Sequence, residues 1–137
     1  MNYEIKMSRM GLDENGKDKK FTETYLVSAM TVLEAVTMFE EYITPFYKEH
    51  TTLGVKLTKY SEVCLTEDEN YKFFSAKYCF VTIDETTGRE KKTTNVILIQ
   101  ASDYDSAKEH FEKMSSGWLI DVELKTLGET AIIDYIV

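Results

Sequence analysis

Two stretches of the chain decide its fold when they are set one above the other: GKDKKFTETYLVSAMTVLEAVTMFE, residues 16–40, and GREKKTTNVILIQASDYDSAKEHFE, residues 88–112. At a constant offset of 72, nine of the 25 positions are identical, among them Gly16/Gly88, Lys19/Lys91, Lys20/Lys92, Leu26/Leu98, Ala35/Ala107 and Phe39/Phe111. Self-similarity of this kind marks a structural unit used twice. The match extends outward with small length changes. Lys6 aligns with Lys77 and Asp13-Glu14 with Asp84-Glu85, the second copy carrying one extra residue in its turn. Downstream, Val55-Lys56-Leu57 is read against Val122-Glu123-Leu124, and Ser61-Glu62 against Gly128-Glu129. The halves 1–66 and 67–137 are thus two internal repeats within a single compact unit, 1–137, and gene duplication is the natural source.

Each copy reads alike. Tyr3, Ile5 and Met7 alternate with polar residues, the period of a half-buried strand. Asn15-Gly16 is a hairpin signal between apolar strands, and Thr86-Thr87-Gly88 takes its place in the second copy. A second strand follows, Phe21–Ala29 and Thr93–Ala101. The run Val96-Ile97-Leu98-Ile99 predicts burial on both faces. Thr31 with Glu34 forms a capping box ahead of a first helix, and Asp103 is the N-cap of a second. Leu33, Val36, Phe39 and Ile43, then Tyr104, Ala107, Phe111 and Met114, recur at helical spacing. Pro45 and Ser116-Gly117 end the helices. Extended segments close each copy: Val55–Thr58 and Val63–Leu65, Trp118–Lys125 and Ala131–Ile136. Ser61 and Gly128 mark a bulge. The fold class is α+β: two tandem β-β-α-β(β) repeats with antiparallel sheets and one helix each, related by a pseudo-two-fold axis. One continuous sheet and two facing sheets fit equally well. Each half alone is near the lower size limit for independent stability, so the halves are expected to share a core.

Composition narrows the function. Hydrophobic residues make up 43% of the chain, which argues against disorder. The net charge of −8 repels phosphate backbones on average, so nucleic-acid binding needs a local basic patch. Cys64 and Cys79 lack metal-ligand spacing and sit in apolar runs, which reads as two reduced thiols behaving as small buried hydrophobes. The opening residues lack a signal-peptide core, and no apolar run approaches a membrane span. A cytoplasmic location follows as the expectation.

The segments TETYLVSAMTVLEA (22–35), TGREKKTTNVILIQASDYDSAKEHF (87–111) and LGETAIIDYI (127–136) resemble a family of small proteins carrying a domain of unknown function. Its members occur in Bacteroidetes and in their phages and mobile elements. The resemblance implies a bacterial or phage cytoplasmic setting and brings no activity and no functional residues. The architecture is also similar to single-stranded-DNA-binding folds made of duplicated β-rich repeats.

Four groups stand out as candidate sites. Lys17, Lys19 and Lys20 lie at the first hairpin, and Arg89, Lys91 and Lys92 take the same place in the second. Two sets of cations at equivalent turns would suit a phosphate backbone or a protein partner. Lysines near strand starts also keep sheet edges soluble, and neighbouring Asp13, Glu14, Asp18, Asp84, Glu85 and Glu90 offset much of their charge. Tyr60, Tyr71, Phe73, Phe74, Tyr78 and Phe80 fit core burial better than base stacking, because they fall on both strand parities. His50 and His110 read as surface histidines without convergent partners. Glu62 and Glu129 read as repeat-equivalent bend residues, and Glu67-Asp68-Glu69-Asn70 as the connector between copies.

No GxSxG motif, phosphate loop or metal-ligand set is present. The expectation is a non-enzymatic binding or adaptor protein without cofactor or metal, whose partner is a protein or a second copy of itself. Small-molecule (nucleotide) binding in a pocket at the repeat junction and single-stranded nucleic-acid binding through the basic turns are the alternatives.

Overall fold

A computed structural model describes residues 1–66 and 71–137; the connector expected at Glu67–Asn70 lies outside the described residues. The chain runs β1 (Asn2–Leu12), β2 (Asp18–Ser28), α1 (Val32–Ile43), β3 (His50–Leu57), β4 (Tyr60–Cys64), β5 (Lys72–Ile83), β6 (Glu90–Ala101), α2 (Tyr104–Ser116), β7 (Val122–Glu129) and β8 (Ile132–Ile136). It is an α+β protein with two four-stranded sheets, ordered β3-β1-β2-β8 and β7-β5-β6-β4.

The last strand of each half joins the sheet of the other half. β8 lies parallel to β2, with Thr24 opposite Ile132 and Val27 opposite Ile136. β4 lies parallel to β6, with Tyr60 opposite Val96 and Cys64 opposite Ile99. The compact units are therefore 1–59 with 131–137, and 60–130. Both sheets are antiparallel except for this one parallel edge. The hairpin signals could not reveal that edge, because a strand arriving from the other half leaves no local turn.

The first unit packs α1 onto one sheet face. Ala35, Phe39 and Ile43 meet Tyr3, Ile5, Met7, Tyr25, Val27 and Ile136. In the second, Ala107 and Phe111 of α2 meet Phe74, Ala76, Tyr78, Ile97 and Ile99. An exchanged strand reaches each cluster: Ile136 belongs to the first, and Cys64 packs against the second. Leu26, Leu98 and Phe73 are buried on the opposite strand parity, so β2, β5 and β6 are covered on both faces there.

Both helices are capped as the residues predict. Thr31 Oγ1 accepts from the Glu34 amide at 3.1 Å, and Asp103 Oδ1 from the Ser106 amide at 2.7 Å. The turns also follow the signals. Gly16 and Gly88 take positive φ, 75° and 68°, a region glycine enters without strain. Their neighbours are organised by Asp13, whose carboxylate accepts from the Asn15 and Lys17 amides, and by Asp84, which accepts from the Thr86 and Thr87 amides.

The strand ladders revise the downstream register. Leu53 is the extra residue where β3 slips against β1 at Lys6/Met7, and Lys125 is the extra residue where β7 slips against β5 at Lys77/Tyr78. Val55 thus corresponds to Leu127, and Glu62 to Asp134 rather than Glu129. Short alternating strands align almost as well when slid, and an odd slip turns every side chain to the wrong face. Thr58 and Thr130 give the correct pairing. The amide and hydroxyl of Thr58 both donate to the Asn2 carbonyl, at 2.9 and 2.7 Å. Those of Thr130 both donate to the Phe73 carbonyl, at 2.8 and 2.9 Å. Ser61 and Gly128 occupy unrelated places, and the expected strand at Trp118–Asp121 is a loop before β7.

Candidate functional site

Each hairpin outruns the strands beside it. β3 covers β1 only as far as Arg9, and β8 reaches β2 only from Thr24, so residues 10–23 form a ribbon of two strands. β7 covers β5 only to Phe80, and β4 reaches β6 only from Tyr60 opposite Val96, which leaves residues 81–95 in the same state. A two-stranded ribbon is marginally stable in water because it has no second layer to bury a face against. We refer to these ribbons as the first and second arms.

The six predicted cations sit on the arms. Lys17 is in the first turn; Lys19 and Lys20 follow at the start of β2. Arg89 closes the second turn, with Lys91 and Lys92 early in β6. All six are exposed. The face pointing away from the helix carries large apolar side chains in solvent: Met10 and Leu12 on the first arm, Val81 and Ile83 on the second. They stand opposite Lys20 and Asp18, and opposite Lys92 and Glu90. The tip of each arm, residues 10–20 and 81–92, thus repeats the same mixture of two large apolar side chains, three cations and three acids.

The helix-facing side of the first arm is built differently. The Arg9 guanidinium lies over the Phe21 and Tyr47 rings, 4.8 and 4.2 Å from their centroids, and Lys19 Nζ lies over the Phe21 ring, 5.3 Å from its centroid. Arg9 Nε also donates to Glu23 at 2.7 Å. Gly11 makes room for this row, since a Cβ there would come within 2.8 Å of both Arg9 Nη1 and the Phe21 ring. Tyr47 is positioned by the segment between α1 and β3. Its amide bonds to the Ile43 carbonyl, and its own carbonyl lies 2.8 Å from His50 Nδ1.

His50 was read as a surface residue and is in fact enclosed, its side chain 7% exposed. Nε2 meets Glu40 at 2.6 Å, and the other Glu40 oxygen accepts from Thr52 at 2.7 Å. Burial alone would lower the His50 pKa, but the Tyr47 carbonyl and Glu40 together raise it above 6.5. Burial acts against the Glu40 carboxylate as well, and its bonds to Thr52 and His50 outweigh that, so its pKa falls below 4.5. Tyr25, beneath the cluster, is pushed up to about 12 chiefly by burial. Sequence spacing could not reveal this network. Arg9, Glu23, Glu40 and His50 lie on four separate elements and Tyr47 on the segment between α1 and β3, with no local motif, and Gly11 beside Arg9 is the sole hint of a close approach.

In the second unit the corresponding place is aromatic. Tyr78 lies 5.6 Å from Phe111 and 5.1 Å from Trp118, with Phe80 alongside at 6.2 Å. Asn95 Nδ2 donates to the Tyr78 hydroxyl at 2.9 Å. Phe73, Phe74 and Tyr78 are buried, in line with the core reading of this cluster. Cys64 faces Met114 Sδ at 3.6 Å, and burial pushes its thiol up to about 11.

Surface hollows follow the same division. One of about 470 Å³, bordered by Ser8, Met10, Lys20, His50, Thr51 and Leu53, lies at the base of the first arm. Another of about 460 Å³ lies near its tip, between Leu12, Asp13, Glu14 and Phe21. The second arm has a smaller one, about 160 Å³, beside Phe80, Val81 and Lys92. Among the described residues, no group of three or more His, Cys, Asp or Glu side chains is placed to hold a metal ion. Among them, too, no helix is long and apolar enough to cross a membrane.

The family model of the domain of unknown function DUF4494 matches residues 1–137. The chain belongs to this family. The comparison with curated proteins found no match. The match spans the whole chain and leaves its chemistry to be argued from the residues.

Proposed function

We propose that this DUF4494 chain is a non-enzymatic binding protein that engages a protein partner through its two arms. One observation carries the reading: each arm runs past its flanking strands and repeats the same pair of exposed apolar side chains, Met10/Leu12 and Val81/Ile83. An unsupported ribbon gains a second layer when a partner covers it. Burying one such side chain contributes about 1.5–3 kcal/mol. The unpaired strand edges also suit addition of a partner strand. Charge favours protein over nucleic acid, because Asp13, Glu14 and Asp18 offset Lys17, Lys19 and Lys20, and Asp84, Glu85 and Glu90 offset Arg89, Lys91 and Lys92. A second copy of the chain is the first partner to test.

The same reading includes a duplicated origin, which the alike bonding of Thr58 and Thr130 supports. It also includes a bacterial or phage setting and a reducing compartment such as the cytoplasm, where two free thiols, Cys64 and Cys79, are at home.

The test compares the native chain with a Leu12→Lys/Ile83→Lys double variant whose circular dichroism is unchanged. Analytical ultracentrifugation reads self-association, and affinity capture followed by mass spectrometry reads other partners. Association present in the native chain and lost in the variant is expected. Equal association of both overturns the role of the arms. A mobility shift of single-stranded nucleic acid that weakens steeply with salt would replace the protein partner with a phosphate backbone.

A further inference from the structure

We propose that His50 is a proton-operated latch: with both ring nitrogens protonated it ties residues 44–49 down over Arg9, and loss of one proton releases them. The geometry of the ring carries this. Nδ1 lies 2.8 Å from the Tyr47 carbonyl, which can only accept. Nε2 lies 2.6 Å from Glu40, an ionised carboxylate that also only accepts and is already engaged by Thr52. A neutral imidazole has one N–H and can serve only one of these partners. The imidazolium serves both, and in doing so joins the start of β3 to α1 and to the segment between them.

The other ties of that segment are to the end of α1. The Thr44 amide and hydroxyl donate to the Glu40 carbonyl at 3.2 and 2.6 Å, the Phe46 and Tyr47 amides donate to the Ile43 carbonyl, and the Tyr42 and Phe46 rings lie 5.5 Å apart. Its main cover is the Tyr47 ring on Arg9. When the Tyr47 carbonyl loses its donor, the ring loses the anchor that sets its position, and the Arg9–Phe21 face at the base of the first arm opens to solvent.

The surrounding groups leave the titration to His50 and Glu40. From α1, Glu40 and the edge-on Phe39 ring, 6.4 Å away, face the imidazole. From β3 comes Thr52, and Glu49 precedes His50 in the chain. Lys20 of β2 borders the same hollow. On β1, Arg9 pairs with His50 in the ladder, and its charge is met by Glu23 of β2. Tyr25 of β2 keeps its proton to about 12. The sign then follows. The His50 contribution is complete below 6.5 and is lost as pH rises through its raised folded value. The Glu40 contribution is complete above 4.5 and is lost as pH falls through its lowered one. The latch is firmest between these limits and opens toward the alkaline side.

The test uses the native full-length chain. Imidazole nitrogen shifts across the titration give the protonation state of His50, and amide hydrogen exchange of residues 46–51, corrected for intrinsic pH dependence, reports opening. We expect His50 to be doubly protonated at pH ~6, and exchange in this segment to rise about tenfold as the imidazole loses its proton above 6.5, while Ile5 and Val27 stay protected. His50→Gln is expected to exchange rapidly at every pH, and Glu40→Gln to lower the His50 midpoint. A neutral single tautomer at pH ~6, or exchange in this segment independent of pH in the native chain, overturns the latch even if the variants fail to fold.

Discussion

The two units share a framework and differ in what fills one end of it. In both, a helix lays an Ala and a Phe on the sheet, Ala35 and Phe39 in one and Ala107 and Phe111 in the other. In both, a threonine clamps the strand exit to the first strand, and an acid-glycine turn closes the hairpin. At the arm's base the chemistry diverges. Arg9 corresponds to Phe80, Glu23 to Asn95, His50 to Val122 and Thr52 to Leu124. One unit holds that end with charge-assisted bonds around an imidazole, the other with an aromatic cluster. Charge-assisted bonds respond to protons, while aromatic packing does not. The pair shows which positions the fold requires and which are free to take on chemistry.

The largest test of the shared framework is removal of the helix phenylalanine. Phe39 is 0% and Phe111 3% exposed, and each sits at the centre of its cluster. Replacing either by Ala is expected to cost about 3–5 kcal/mol, measured by urea denaturation followed by both fluorescence and far-UV circular dichroism. A loss under about 1 kcal/mol in one unit only would show that the two cores are not equivalent.

A middle-sized effect separates the two ends. Thr82 is the residue on the second arm that corresponds to Gly11. Gly11→Thr puts atoms where Arg9 Nη1 and the Phe21 ring now lie, both within 2.8 Å of a Cβ. Those are side chains that can shift, so the expected cost is about 1–3 kcal/mol, with the Tyr47–Arg9 stacking lost. The mirror change, Thr82→Gly, is expected to cost under 1 kcal/mol, from strand entropy and the loss of one weak hydroxyl bond to the Lys91 carbonyl, 3.3 Å. Equal costs would mean that Gly11 is not there to admit the guanidinium.

These contrasts also mark what could be read in the sequence. The hairpin turns, the two caps and the helix faces are local, so Gly16, Thr31, Asp103 and the Phe39/Phe111 spacing disclosed them. Leu33 and Tyr104 share the helical period yet are exposed, and burial begins only at Ala35 and Ala107. The exchange of β4 and β8 is a pairing between distant residues, and no local pattern encodes it. The His50 network likewise joins four elements, and its spacing becomes meaningful only after the bulge at Leu53 has set which residues of β3 face the helix.

The smallest effect tests the strand exchange itself. Thr58 and Thr130 stand where the chain leaves one sheet for the other, and each hydroxyl adds a second bond to a carbonyl that its own amide already holds. Replacing either Thr by Val removes one donor and keeps the β-branched shape that strands favour. The expected loss is about 0.5–1.5 kcal/mol for each, since the carbonyl keeps its amide partner. Thr130→Val should cost more than Thr58→Val, because Phe73 is buried while Asn2 is only half-buried, and water can replace the lost donor more readily at Asn2. Paired urea titrations resolve a difference of this size when the slopes agree. The reverse order would indicate that the two exits, alike in geometry, are held by different forces.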